Sequence, residues 1–152
     1  MSGNFVWLER SSDYGEIRPV VRSLAPVAIT RPLVRIGGDG DGGYLLPDDL
    51  DGVAAVISPG VSTTVEFDLD MAGRGAQIYM ADASVSGPPV NHERFHFLGK
   101  YLDVFDDDQN IRLDGFCSSI AREHDGDQLL QMDIEGAEYR VLLDASDETL
   151  RR

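Results

Sequence analysis

Hydrophobic and polar positions change their rhythm several times along this chain. Over residues 5–26 the pattern is mixed and partly helical. Ile17, Val20, Val21 and Leu24 recur at helical spacing, with Pro19 tolerable only in a first turn. Pro26 and Pro32 bracket a short extended piece. The glycine-dense run from Arg35 to Gly43 then marks tight turns, a hairpin or a loop on the substrate side, and Tyr44–Leu46 reads as a strand. From Val53 onward, strand and helix alternate. Val53–Ile57 is continuously apolar, as a buried parallel strand requires. Ser58–Ser62 is a turn, and Thr63 with Glu66 makes a capping box for a helix. Val65, Leu69 and Ala72 fall on one face of that helix, and Gly73 and Gly75 stop it. Gln77–Ala81 is the second strand and ends at Asp82, so residues 53–82 form one βαβ unit. Phe95–Leu98 is a third strand. A short helix is expected near residues 115–124, a strand over Gln128–Asp133, a helix near 137–144, and another helix start at Ser146-Asp147-Glu148.

Composition narrows the functional classes. The 152 residues suffice for one domain with a real core, and a hydrophobic content of 42% argues against wholesale disorder. Acids outnumber bases 27 to 13, for a net charge of −14, and Lys100 is the sole lysine. Nucleic-acid backbone and anionic membrane both demand clustered positive charge, so neither is an expected partner. Cys117 is the single cysteine, which rules out an internal disulfide and a thiolate zinc site. It reads as a small buried hydrophobe. The chain has no apolar run long enough to span a bilayer, and its start lacks the basic and apolar regions of a signal peptide, which points to a cytoplasmic protein.

Candidate chemistry collects at strand ends. Ligands of open α/β sheets bind beyond the carboxyl ends of the strands. The turn at Ser58, Pro59, Gly60 and Val61 opens a helix whose first N–H groups lack partners. Asp82 ends the next strand, 22 residues after Gly60, where an acid accepts ribose hydroxyls in nucleotide-binding folds. Only one glycine stands in the turn, so the dinucleotide pattern G-x-G-x-x-G is incomplete. In Asp133-Ile134-Glu135-Gly136-Ala137-Glu138, Gly136 permits a tight exit from the strand and Glu138 suits a helix N-terminus. Asp133, placed at the end of a buried strand, needs a ligand, a cation or a donor. Asp39 and Asp41 do not make an EF-hand, because Tyr44 and Leu50 fall where that loop requires glycine and glutamate. Asp106-Asp107-Asp108 reads as a solvated loop. Of the histidines, His96 reads as a packing residue, His124 as a helix-end residue, and His92 as a loop residue within reach of an acceptor.

The run Leu130-Gln131-Met132-Asp133-Ile134-Glu135-Gly136-Ala137-Glu138 resembles the fourth-strand signature of FkbM-type methyltransferases, which use S-adenosylmethionine. Asp41-Gly42-Gly43-Tyr44-Leu45-Leu46, Ile57-Ser58-Pro59-Gly60-Val61, Ala81-Asp82 and Leu113-Asp114 resemble further elements of that family, in the same order. The resemblance covers roughly residues 35–145. It implies a Rossmann-like, mostly parallel α/β sheet with helices on both faces, preceded by a helical and extended segment over residues 1–34 and occupying residues 35–152. It further implies that Ser58, Pro59, Gly60 and Val61 contact the methionine part of the cofactor. Asp82 would hold the ribose, and Asp114, Gly115 and Phe116 would lie near the adenine. Asp133, which would also face the cofactor, and then Glu135 are the catalytic candidates, acting as a base for an acceptor hydroxyl or through a divalent cation. The expected acceptor is a small molecule or saccharide. Pro59 departs from the glycine common in this turn. Seven strands are usual in such enzymes, so a sheet incomplete at its C-terminal end is expected; an unfinished sheet favours association into a homo-oligomer. Three rival readings are a non-catalytic remnant that binds cofactor or a partner, a nicotinamide-dependent oxidoreductase, and a metal-dependent hydrolase using the acidic clusters, the last disfavoured because no histidine lies near them in sequence.

Overall fold

The computed structural model describes residues 13–61 and 63–151. The chain divides into two compact units, the second beginning at Arg31. In the first unit, helix α1 (Tyr14–Ser23) is capped by Asp13, whose carboxylate accepts the Gly15 N–H at 2.7 Å. Pro19 lies in the second turn, not the first, and the helix runs through it without the N–H that would meet the Gly15 carbonyl. Residues 5–12 of the expected helical segment lie outside the described residues.

The second unit opens with β1 (Leu33–Ile36) and β2 (Tyr44–Pro47), an antiparallel hairpin pairing Ile36 with Tyr44. β1 therefore straddles the boundary expected between residues 34 and 35. The glycines between these strands allow a close crossing: a side chain at Gly43 would collide with the Gly38 carbonyl oxygen.

A four-stranded parallel sheet follows, made of β3 (Val53–Pro59), β4 (Gln77–Ala81), β5 (Phe95–Leu98) and β8 (Asp127–Leu130), in the order β5-β4-β3-β8. The expected strands over Gln77–Ala81 and Phe95–Leu98 match residue for residue. Alternation along the strands builds two cores. Ala55, Ile57, Tyr79 and Ala81 face Leu113, Phe116, Cys117 and Ile120 of helix α3 (Leu113–Ala121) and Val141 of helix α4 (Glu138–Asp144). Val56, Ile78 and Met80 face Phe67, Met71 and Ala72 of helix α2 (Glu66–Gly73), with Ile36 of the hairpin. The protein is thus a mixed α/β fold whose parallel sheet carries helices on both faces. Two short strands, β6 (Tyr101–Asp103) and β7 (Asn110–Arg112), pair parallel beside it, and Thr149–Arg151 forms a 3-10 turn capped by Ser146. Among the described residues no helix is long and apolar enough to cross a membrane.

The structure moves several expected boundaries. β3 runs on through Ser58 and Pro59, which were expected in the turn. α2 starts at Glu66 with Val65 at its cap and no side-chain cap bond, so Thr63 and Glu66 do not form a capping box. Burial of Val65, Phe67 and Met71 in one cluster sets the start of the helix instead. Leu69 lies 38% exposed, off the buried face. The helix does stop as expected: the Gly75 and Ala76 N–H groups return to the carbonyls of Ala72 and Met71, the paired bonds of a Schellman end. Leu113 and Asp114 belong to α3 rather than leading into it.

The histidines and the aspartate loop take structural places. Tyr79 donates its hydroxyl proton to Glu123 at 3.1 Å and meets His124 Nε2 at 2.6 Å, while His96 stacks on its ring and reaches Gln77 at 2.8 Å. Burial first, then Glu123, pushes the Tyr79 hydroxyl up to about 12. In the exposed aspartate loop, Asp106 accepts the Arg112 N–H, and Asp107 accepts from Gln109 and Asn110. The Asn110 side chain leads the contacts that hold the Asp107 carboxyl below its usual range.

Candidate functional site

The carboxyl ends of β3, β4 and β8 come level with one another. The Gly60 N–H donates to Ala81 O at 3.1 Å, and the Gln131 N–H to Ile57 O at 2.9 Å. β4 and β8 flank β3 on opposite sides: the chain runs outward from β3 to β4 and β5, then returns across β3 to reach β8, which reverses the strand order. A crevice opens at such a switch point. Here it is a cavity of about 560 Å³, within the usual size range for small-molecule sites.

Segments far apart in sequence build its walls, among them α2, β6 and α4, and four others carry most of the expected groups. The hairpin contributes Asp41, Gly42 and Tyr44; the β3 exit contributes Ser58, Gly60 and Val61; Asp82 and Ser84 follow β4; and Gln131, Asp133 and Glu135 follow β8. Side chains tie these stretches together. Ser58 Oγ donates to Gln131 Oε1 at 3.1 Å, and Gln131 Nε2 donates to Tyr44 Oη at 3.2 Å. Asp82 is buried and accepts the Val61 N–H at 3.0 Å, the Ser84 N–H at 2.7 Å and the Ser84 hydroxyl at 2.6 Å. A carboxylate offers about four lone-pair positions, so the described residues leave one acceptor position on Asp82.

Gly60 has φ of +90°, and its α-carbon faces the backbone of Asp133 so closely that an added β-carbon would overlap the Asp133 carbonyl oxygen. Beyond Asp133, Glu135 and Gly136 both hold left-handed backbone, with φ of 58° and 95°. For a glutamate this is an uncommon and mildly costly conformation. It turns the chain into α4, where Glu138 accepts the Ile134 N–H at 2.9 Å. The Glu138 backbone N–H and then that of Ile134 hold its carboxyl below the ordinary range.

Not every expected site residue lies here. Ser58, Gly60, Val61, Asp82, Asp133 and Glu135 line the cavity. Pro59 does not; it is fully buried as the last residue of β3. Asp114, Gly115 and Phe116 do not either, because they open α3 on the face of the sheet. Phe116 fills the core, and Asp114 accepts the Ser146 N–H at 2.9 Å. The Thr149 and Ser146 contacts hold the Asp114 carboxyl below its usual range. Asp114→Ala is therefore expected to leave ligand affinity unchanged and to speed amide exchange over residues 146–151. A loss of ligand affinity in that variant would return Asp114 to the site.

The expectation for Asp133 also changes. β8 ends at Leu130, and Asp133, past it, is exposed, so hydration rather than a partner satisfies its charge. His92 is not among the lining residues; its Nδ1 accepts the Arg94 N–H at 3.2 Å.

Two features were missed in the sequence. The first is the sign of the cavity. Asp41, Glu66, Asp68, Asp82, Asp103, Asp133 and Glu135 line it; among the described residues Arg140 is the only lining lysine or arginine, and it is already paired with Asp103 at 3.0 Å. The second is Asp68 itself, only 6% exposed on α2. Its position three before Met71 and four before Ala72 puts an acid on the helix's buried face, a signal that was there to be read. Burial pushes its carboxyl up to about 6, with Ser58 pulling in the other direction. Among the described residues, no group of three His, Cys, Asp or Glu side chains is arranged to hold a metal ion.

No family model matches the chain, and searches of curated proteins and of solved structures return no match.

Proposed function

We propose that this chain is an S-adenosylmethionine-dependent methyltransferase acting on a hydroxyl of a small molecule or saccharide. The observation that carries the reading is convergence. The segments that resemble methyltransferase elements at Asp41–Tyr44, Ser58–Val61, Asp82 and Asp133–Glu135 lie far apart in sequence, yet all contribute to one cavity at the switch point of a parallel sheet. The strand order β5-β4-β3-β8, numbered by occurrence within the sheet, is 3-2-1-4, which suits a Rossmann-like domain.

Electrostatics distinguishes this reading from the nicotinamide one. Seven lining carboxyl groups against one paired arginine favour a cationic ligand and oppose a pyrophosphate. When bound, S-adenosylmethionine supplies a methyl group on a positively charged sulfur. The chain's own residues do the rest. Ser58, Gly60 and Val61 form the wall at the β3 exit, and Asp82 has one acceptor position for a ribose hydroxyl. Asp133 and Glu135, exposed at the β8 exit, stand where an acceptor enters; Asp133 is the first choice of base and Glu135 the second. Positioning contributes most of the rate and the base less.

Calorimetric titration with S-adenosylhomocysteine, with NAD as control, tests the reading. Saturable binding of the first alone is expected, weakened at least tenfold in Asp82→Ala. With an acceptor in hand, Asp133→Asn is expected to lower kcat by roughly a hundredfold or more while leaving the S-adenosylhomocysteine Kd in place. Binding of NAD in preference to S-adenosylhomocysteine would transfer the chain to the oxidoreductases.

A further inference from the structure

We propose that Asp68 is the group that receives a primary ammonium of the cavity's ligand. With the methyltransferase reading as its basis, that ammonium is the α-amino group of the cofactor's methionine part.

Three observations converge on this residue. Asp68 lines the cavity and yet is 94% removed from solvent, at 6% exposure. Its Oδ1 is fully buried and has no hydrogen-bond partner among the described residues. Buried polar atoms in folded proteins almost always find a partner, and an orphaned one calls for a specific explanation. The Ser58 hydroxyl and the Asp68 backbone N–H both lie close enough to ease the charge on this carboxyl, but neither bonds Oδ1, and the one Ser58 proton goes to Gln131 Oε1 at 3.1 Å. A residue that lines the cavity thus carries a buried acceptor oxygen for which the described residues supply no donor.

The surroundings select the class of donor. Asp41, Glu66 and Asp82 line the same cavity and add negative potential, and its one guanidinium is committed to Asp103. A neutral hydroxyl would satisfy the hydrogen bond but leave the charge uncompensated. An ammonium does both, and charge-assisted bonds are about twice as strong as neutral ones. The raised proton affinity of Asp68 in the ligand-free chain fits a carboxylate waiting for a cation. An anionic or uncharged end of a ligand finds no such opening at this position.

The experiment compares S-adenosylhomocysteine with its analogue in which hydrogen replaces the α-amino group, each titrated into the wild-type chain and into Asp68→Asn. The wild type is expected to prefer the amine by roughly a hundredfold. The variant, confirmed as folded by circular dichroism, is expected to lose that preference and to bind the deaminated analogue as the wild type does. An Asp68→Asn chain that keeps the full preference overturns the assignment. If the wild type binds neither nucleoside, the methyltransferase reading falls and the role of Asp68 is decided separately. Its side-chain carboxyl resonance is then followed by NMR as spermidine is added. A saturable shift of that resonance, absent with added acetate, upholds an ammonium-receiving carboxylate; an unmoved resonance overturns it.

Discussion

A single added methyl group at position 60 is expected to cost the second unit on the order of 3 kcal/mol and to abolish ligand binding. Two effects combine in Gly60→Ala. The backbone at Gly60 has φ of +90°, a conformation that L side chains rarely adopt. Forcing an alanine into a left-handed conformation costs about 1–2 kcal/mol. The new β-carbon would also press on the Asp133 carbonyl oxygen and come within 2.8 Å of the Asp133 carbonyl carbon. Backbone cannot swing aside as a side chain can, so overpacking here costs a further 1–3 kcal/mol or so. Relief would come from parting the β3 exit from the β8 exit, which are the two walls that carry Ser58, Val61 and Asp133. Gly73→Ala is the internal control. An added β-carbon there meets nothing within 4 Å, and the residue closes helix α2, so a neutral or slightly stabilising outcome is expected. Urea denaturation of the two variants measures the difference. Midpoints within error of each other would mean that the close approach of Gly60 and Asp133 is absent in solution.

The second large effect concerns stability and runs opposite to function. Asp68→Asn is expected to make the protein more stable at pH 8, by an amount on the order of 2–3 kcal/mol, while weakening its hold on ligand. The Asp68 carboxyl titrates near 6 in the folded chain against an ordinary value of 3.8. Between those values the folded state holds a proton that the unfolded state has released. Stability therefore falls as pH rises through this window. Below about pH 4 both states are protonated and the residue costs little; above about pH 7 the full penalty of a buried carboxylate applies. The amide of asparagine carries no charge, so the gain in Asp68→Asn should be small at pH 4 and should grow up to about pH 7. Thermal melts of both proteins across pH 4–8 measure it, and every other carboxylate cancels in the comparison. A stability difference that stays flat over that range would show that Asp68 is hydrated in solution. A site residue whose removal stabilises the fold is a familiar sign of a group kept for binding.

Much of this architecture was legible in the amino-acid pattern, and the failures share a cause. Gln77–Ala81 and Phe95–Leu98 read correctly because strand burial depends on short apolar runs with clear ends. The start of α2 did not, because capping signals at Thr63 and Glu66 are local and the burial of Val65 and Phe67 outweighs them. Asp133 was read as buried because the apolar run before it invited a buried strand to continue; its N–H still reaches Pro59 O, but regular pairing ends at Leu130 and its side chain is exposed. Asp114 and Phe116 were placed at the cavity by the resemblance to methyltransferases. The fold instead turns them into α3, where Phe116 contributes core packing. The strand-turn-helix pattern located Ser58, Gly60, Val61 and Asp82 at the cavity, though Ser58 ends in the strand and not in the turn. It could not report that Tyr44, Ser58 and Gln131 would share one line of hydrogen bonds, since that depends on a tertiary contact between distant segments.

The strand order has a consequence for how the protein acquires its shape. β3 meets β4 through a short crossover, but Val53 meets Asp127 only after the intervening chain has been gathered in. Closing so long a loop is entropically slow compared with pairing neighbours. One side of the cavity thus forms early, from contacts close in sequence, and the other arrives late with β8. A ligand that touches both walls binds only once that last strand has docked, so it acts on the unfolding rate: by holding β8 in place it slows the first step by which the sheet comes apart.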